Sequence, residues 1–339
     1  KIFKHPVILE TACGHDGSED VLKKLTDVAI IAGAKQIKYQ IFNLEERALP
    51  NTKEYKIFKP LCLEKKVWIR IIKYAKKNKL KVFADVYGDY SLNLAKENNV
   101  DGYKIHSEDF FNSYFIEKVI NFKKPVLINL GGSYKSEVFD LINFLKKKKK
   151  LNKKIILMHG VQTFPTPPNG HSLYEFKKLI ENYKKFNVGF GYSDHIDGSN
   201  NLSLIFPTLA YLLGAELIEK HFTDDRKIRR TDYQSALDAK QIKNFLNDFN
   251  IINMNLKESN SILKFESMYR KMFKKSCALN KDKSQDEIIK ASDFKFIKSK
   301  KNKSYFFSHN LEGKSVKNFF PKNKPISADH IKNKIGVII

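Results

Sequence analysis

The chain of 339 residues is short of cysteine, arginine and long apolar runs, and each shortage excludes something. Its three cysteines, Cys13, Cys62 and Cys277, are odd in number and far apart, which argues against a disulfide framework. There is no CxxC pair to hold zinc. Cys13 follows a strand pattern and reads as a small packed residue, with site lining as the other option. Only six of the 62 basic residues are arginine, although the net charge is +25. Arginine is the favoured residue for bidentate base and phosphate contacts, and the lysines are spread along outward helix positions. The charge therefore does not point to nucleic acid. The run KKKKK at 146–150 closes a helical pattern, where cations suit the helix dipole, and reads as a solvated helix end. No apolar stretch approaches the roughly 18 to 20 residues that cross a bilayer. The opening KIFKHPVILE leads straight into strand-like sequence with no leader-like apolar segment, so a soluble, cytoplasmic protein without membrane partners is expected. GxGxxG and Walker motifs are missing, which leaves a nucleotide cradle unsupported.

What is present is enough apolar material for a large core: 42% hydrophobic residues, with 26 Phe and 15 Tyr. Short β-rich runs recur, each followed by a segment of helical spacing. They are VILE (7–10), KQIKYQ (35–40), KVFADV (81–86), GYKI (102–105), PVLINL (125–130), KIILMH (154–159), NVGFGY (187–192) and ELIEKH (216–221). Helical patterns lie between them, as in 63–78 and 202–214, where Pro207 marks a kink or a late start. This repeat predicts an α/β fold, a (β/α)8 TIM barrel over residues 1–256, with an open doubly wound sheet as the alternative. Residues 257–274 read as a linker. Residues 275–339 alternate short β-like runs with turns and read as a small β-rich domain.

In a barrel of this kind the chemistry sits just past the strand C-termini. The polar residues there are Glu10, His15 and Asp16; Lys38 and Gln40; Asp85; Lys104, Ser107, Glu108 and Asp109; Asn129; His159 and Gln162; Ser193, Asp194 and His195; Glu219, Lys220 and His221. A lysine inside a strand is costly to bury without an anion. Lys38 and Lys104 therefore imply either an anionic ligand in the barrel mouth or ion pairs with Glu10 or Asp85. His195 and His221 come from consecutive strands, so both imidazoles can reach one Mn2+- or Mg2+-like cation with open positions.

These pieces resemble the sialic acid synthase family, also called N-acetylneuraminate or nonulosonic acid synthases. The matching stretches run from LETACGHDGS (9–18) through AGAKQIKYQ, YKIHSED, HGVQTFPTPP and GYSDH to EKHFT (219–223), in the family's order. The tail, through ALNKDKSQDEIIKASDFKFIK and LEGKSVKNFFPKNKPISADHIK, resembles the family's antifreeze-like (SAF) domain. The resemblance implies a transferase that condenses phosphoenolpyruvate with an N-acetylated amino-sugar aldehyde, with C–O cleavage, to a 2-keto-3-deoxy nonulosonic acid. It implies that His195 and His221 hold a divalent metal, that Lys38, Lys104, Ser107 and Ser193 bind the donor, and that Glu10 and Asp232 contact the acceptor. Asp109 falls where the family has a glutamate serving the sugar and the attacking water, with Glu108 as a competing candidate. A homodimer in which the SAF domain covers the partner's site is implied as well.

The chain departs from that family at the donor pocket. Asp85 stands in place of a threonine, and its carboxylate would repel phosphoenolpyruvate unless protonated or paired with a lysine. Asn129 replaces a hydroxyl, Gln162 and Phe164 take the positions of Asn and Tyr, and Ser299, beside Lys300 and Lys301, falls near the family's partner-reaching arginine. Two other expectations stand beside synthesis: a related metal-dependent barrel enzyme with another donor or acceptor, and a catalytically silent carbohydrate-binding homologue.

Overall fold

The structure, a computed structural model, describes residues 2–3, 5–256, 261–298 and 308–332. The chain divides into two compact units, Lys1–Asn255 and Leu256–Ile339. In the first, eight strands close into a parallel barrel in sequence order. They are β1 (Val7–Glu10), β2 (Gln36–Ile41), β3 (Lys81–Val86), β4 (Gly102–Ile105), β5 (Val126–Asn129), β6 (Ile155–His159), β7 (Gly189–Asp194) and β8 (Leu217–His221). The open-sheet alternative is thereby excluded, because β8 pairs back onto β1 from Val7↔Ile218 to Glu10↔His221.

Helices fill the connections: α1 (Glu19–Ile31), α2 (Leu44–Arg47), α3 (Lys53–Phe58), α4 (Lys65–Lys77), α5 (Asp89–Glu97), α6 (Ser113–Ile120), α7 (Lys135–Lys147), α8 (Leu173–Tyr183), α9 (Leu202–Leu213) and α10 (Ala239–Asn255). Ser18, Asn112 and Ser172 start α1, α6 and α8 by accepting a backbone N–H, the ordinary N-cap arrangement. The late start expected at Pro207 does not occur. α9 runs through it from Leu202.

Alternation along the strands separates two environments. Residues of one parity, such as Leu9, Ile37, Tyr39, Val82, Ala84, Tyr103, Ile128, Leu157 and Ile218, join the core between strands and helices. The other parity faces the barrel interior. Its lower layer is apolar: Ile8, Phe83, Leu127, Ile156 and Leu217, with Phe3 packed on them. Its upper layer, at the strand C-termini, is Glu10, Lys38, Asp85, Lys104, Asn129, Ser193, Glu219 and His221, all buried. An apolar floor under a polar ring is what places chemistry at one end only.

The second unit contains α11 (Lys264–Phe273) and an antiparallel pair, β9 (Ser276–Leu279) and β10 (Phe294–Ile297). Most of the segment read as a linker is thus a helix, preceded by residues 257–260, which lie outside the described residues. Cys277, Leu279, Ile289, Leu311, Val316, Phe320, Ile326 and Ile331 form its core. Lys283 is buried there between Asp293 (2.6 Å) and Glu287 (2.8 Å). Among the described residues, no helix of the chain is long and apolar enough to cross a membrane.

Candidate active site

Strand register builds the site, setting Glu10 beside Lys38, Asp85 beside Lys104, and Ser193 beside Glu219. The side chains then meet across the barrel. Lys38 is ion-paired to Glu10, to Asp85 at 2.6 Å and to Glu219 at 3.4 Å. Lys104 lies 2.5 Å from Glu219 Oε1, an oxygen that also accepts from Ser193 Oγ at 3.3 Å. The remaining Glu10 oxygen, Oε1, accepts from the Ala12 N–H at 2.7 Å. The ion-pair option for the strand lysines is therefore what the structure contains, with Glu219 as a partner outside the expected pair.

Two lysines against three carboxylates leave this cage with one net negative charge when all are ionised. Burial opposes ionisation of Glu219, but Lys104 and Lys38 outweigh it and hold that carboxyl well below the usual range. Burial likewise opposes the charge on Lys104, yet Glu219 and Asp85 keep its pKa raised.

His195 and His221 stand beside the cage with ring centroids 5.0 Å apart. Burial pushes His195 down to about 4, and burial followed by His195 pushes His221 well below its ordinary value. Both are neutral at pH 7, the ligating form of imidazole. The Val161 carbonyl accepts from His195 Nδ1 at 2.7 Å, which fixes the tautomer and leaves the Nε2 lone pair free. Among the described residues, no third His, Cys, Asp or Glu joins them in a metal-binding cluster. A neutral imidazole pair next to a carboxylate-rich cage fits a divalent cation that completes its shell with substrate or water oxygens.

The rest of the mouth is built from loops. Ser107, Glu108 and Asp109 form a single 3-10 turn after β4. Burial, then Glu108, raises the Asp109 carboxyl to about 6. Asn129 donates to Gln162 Oε1 at 2.9 Å, and its own oxygen accepts from the Gly131 N–H at 2.8 Å, so the two substituted positions hold each other. Gln162 also lines a cavity of about 600 Å3 between the β5 and β6 loops, α7 and α8, whose lining includes neither metal-candidate histidine. Asp232, at φ +65°, accepts from the Cys13 N–H at 3.4 Å, and burial raises its carboxyl pKa. Phe164 is 59% exposed. Ser299 lies outside the described residues.

Several strand-end residues turn out to be structural. Lys220 and Asp194 pair with each other at 2.5 Å, fully buried, on the opposite strand parity from the histidines. His15 Nδ1 accepts from the Gly17 N–H and its ring packs edge-on against Trp68. Asp16 latches Thr231 and Arg230. His159 packs against Phe176 and Tyr192. Gln40 accepts from the Cys13 thiol at 3.6 Å. Sequence reasoning missed Arg47 in α2, whose side chain is 5% exposed and 3.3 Å from Glu108. Its signal was the rarity of arginine in a lysine-dominated chain.

The chain is similar to several known proteins. The pseudaminic acid synthase of Helicobacter pylori is 24% identical over 97% of this chain and 98% of its own. The N,N'-diacetyllegionaminic acid synthase of Campylobacter jejuni is 26% identical over 70% of this chain and 73% of its own. The crystal structure of N-acetylneuraminic acid synthetase from Leptospira borgpetersenii superposes with a TM-score of 0.68 at 27% identity, over 79% of this chain and 92% of that one. A model of the NeuB family matches residues 25–261, from within α1 through the strand lysines and both histidines. The chain belongs to the NeuB family.

Proposed function

We propose that the protein is a nonulosonic acid synthase, a transferase that joins phosphoenolpyruvate to an N-acetylated amino-sugar aldehyde. The observation that carries this reading is the neutral His195–His221 pair set beside the buried Lys38–Lys104–Glu219 cage. The names of the relatives above support it.

A Mn2+ or Mg2+ held by His195 and His221 would supply Lewis acidity toward the sugar aldehyde. Around it, Lys104, Ser107 and Ser193 position the donor so that its enol carbon faces the aldehyde carbon, with Lys38 set among the carboxylates behind them. Glu10 and Asp232 orient the acceptor. Carbon–carbon bond formation leaves positive character at the phosphate-bearing carbon. Asp109, raised to about 6, is ionised at neutral pH and poised to take a proton from the water that adds there, after which phosphate leaves with C–O cleavage. Glu108, 52% exposed, is the less shielded of the two carboxylates.

The experiment is phosphate release from phosphoenolpyruvate, with and without an amino-sugar panel and Mn2+. Release that needs both sugar and metal supports the reading, and no release with any sugar overturns it. A second reading, a related barrel enzyme with another donor, is favoured by Asp85, because its pairing with Lys38 commits a cation that an anionic donor would otherwise use. Turnover of a different donor under the same conditions separates the two. The same proposal makes the second unit an SAF domain and the working protein a cytoplasmic homodimer, which sedimentation of the full chain tests.

A further inference from the structure

Arg47 is a buried cation with donors to spare. It ends α2, which follows β2, so it sits at the C-terminal end of the barrel with the histidines and the cage. Its guanidinium lies 4.1 Å from the Phe58 ring centroid and 4.1 Å from that of Tyr87, with Phe42 at 5.3 Å. Phe42 packs edge-on against both rings. Aromatic contact with the guanidinium leaves hydrogen bonding to its in-plane N–H groups. One of them reaches Glu108, at 3.3 Å, a half-exposed carboxylate. Nε, Nη1 and the hydroxyl of Tyr87 in the same slot are buried without a well-formed hydrogen bond, and the guanidinium and that hydroxyl interact with each other. Polar atoms held around a buried charge without well-formed hydrogen bonds are costly.

The contrast with the neighbouring cations is what gives this meaning. Lys38 is surrounded by Glu10, Asp85 and Glu219, Lys104 is held by Glu219, and Lys220 by Asp194. Each of these lysines is already ion-paired to at least one buried carboxylate. Arg47 brings a positive charge and N–H donors within electrostatic reach of Asp109 and Asp232.

We infer that Arg47 and Tyr87 form a substrate subsite for an oxyanion, a carboxylate or a phosphate monoester, with Nε, Nη1 and the Tyr87 hydroxyl as its donors. This rests on the proposed function only in treating the barrel mouth as the substrate site. The oxyanion belongs either to the donor or to a phosphorylated acceptor, and Glu108 competes with it for the guanidinium.

Equilibrium calorimetry on the full chain tests this without turnover. The probes are inorganic phosphate, phosphoenolpyruvate and N-acetylmannosamine 6-phosphate, with unphosphorylated N-acetylmannosamine as the control. Arg47→Met is expected to weaken the oxyanion probes that bind the wild type by about tenfold or more. Arg47→Lys, which keeps the charge but not the planar donors, serves if the Met variant fails to fold, and is expected to fall between. Glu108→Gln is expected to tighten binding several-fold, which a merely structural Arg47–Glu108 contact would not do. Dependence confined to phosphoenolpyruvate assigns the oxyanion to the donor, and dependence confined to the sugar phosphate assigns it to the acceptor. Equal affinities in all variants, or no binding of any oxyanion to the wild type, overturn the subsite. Arg47-dependent binding without condensation would remove the proposed function and leave the subsite standing. Condensation with an unchanged KM for both substrates in Arg47→Lys and Arg47→Met would do the reverse.

Discussion

Asp85 Oδ2 lies 2.6 Å from Lys38 Nζ, and both side chains are fully buried inside the barrel. This pairing explains how a carboxylate is tolerated at a position where a hydroxyl was expected. It sits against a lysine that also meets Glu10 and Glu219, while its second oxygen, Oδ1, has no hydrogen-bond partner. Breaking a buried pair so that one charge is stranded costs about 3–5 kcal/mol. Lys38 keeps two other carboxylates, so Asp85→Ala is expected to cost less, about 1–3 kcal/mol, read from urea unfolding. The variant also neutralises the cage, and under the proposed reading the KM for phosphoenolpyruvate falls. A KM that rises instead would mean that Asp85 helps to bind the donor.

Replacing both His195 and His221 by alanine is expected to abolish stoichiometric binding of Mn2+, measured by equilibrium dialysis with metal analysis. Each ring is neutral and ready to ligate, so loss of one should weaken the site and loss of both should empty it. Retention of metal by the double variant would place the site elsewhere.

Asp109 sets an acid limb on activity. Its carboxyl is raised to about 6 by burial and by Glu108, so the ionised, proton-accepting form is lost as pH falls through that value. Asp109→Asn is expected to lower kcat by about 10²–10⁴ and to remove the limb. The stability sign is opposite to that of a salt-bridged carboxylate. Between the unfolded value near 4 and the folded value near 6 the native state binds the extra proton, so stability falls as pH rises through this window and is level above it. After allowance for partial exposure, Asp109→Asn should stabilise the fold at pH 8 by about 1–2 kcal/mol, a gain that disappears near pH 4.

Gly160 follows β6, and a Cβ there would collide with the backbone carbonyl oxygen of Ser193 on β7. Backbone cannot swing aside as a long side chain can, so Gly160→Ala is expected to cost about 1–3 kcal/mol of stability. Because Ser193 lies two residues before His195, the same variant should weaken metal binding. Unchanged stability and unchanged Mn2+ affinity would show that the β6–β7 junction is slack.

Lys283 is the buried charge of the second unit, within 2.6 Å of Asp293 and 2.8 Å of Glu287 and donating to the Ile288 carbonyl at 2.8 Å. Lys283→Met leaves Asp293 with Lys281 and the Lys290 N–H, at 2.9 Å each. The expected loss is about 1–3 kcal/mol in the unfolding of that unit. Burial disfavours the ionised Asp293, but Lys283 and Lys281 prevail and keep its pKa low in the fold. The wild-type contribution is therefore present above pH 4 and declines on acidification. An unfolding transition unmoved by the substitution would show the network to be dispensable.

Much of this protein was legible in its order of residues. Eight apolar runs each followed by helical spacing were enough for the barrel, because parallel strands buried on both faces must be apolar and must be joined by crossover helices. The pair His195 and His221 was legible too, since consecutive strand ends are neighbours in any such barrel. The period of two also separates inward residues such as Lys104 and Glu219 from the opposite parity of Asp194 and Lys220. It does not say what crosses the interior. Lys104 and Glu219 belong to β4 and β8, 115 positions apart, and their 2.5 Å contact exists because closure brings opposite walls of the barrel together. Closure likewise surrounds Lys38 with three carboxylates. Arg47 was hidden for a different reason. Its meaning comes from the burial of its side chain against Phe58 and Tyr87, and burial of one residue in a short connecting helix is set by how separate connections pack over the barrel mouth.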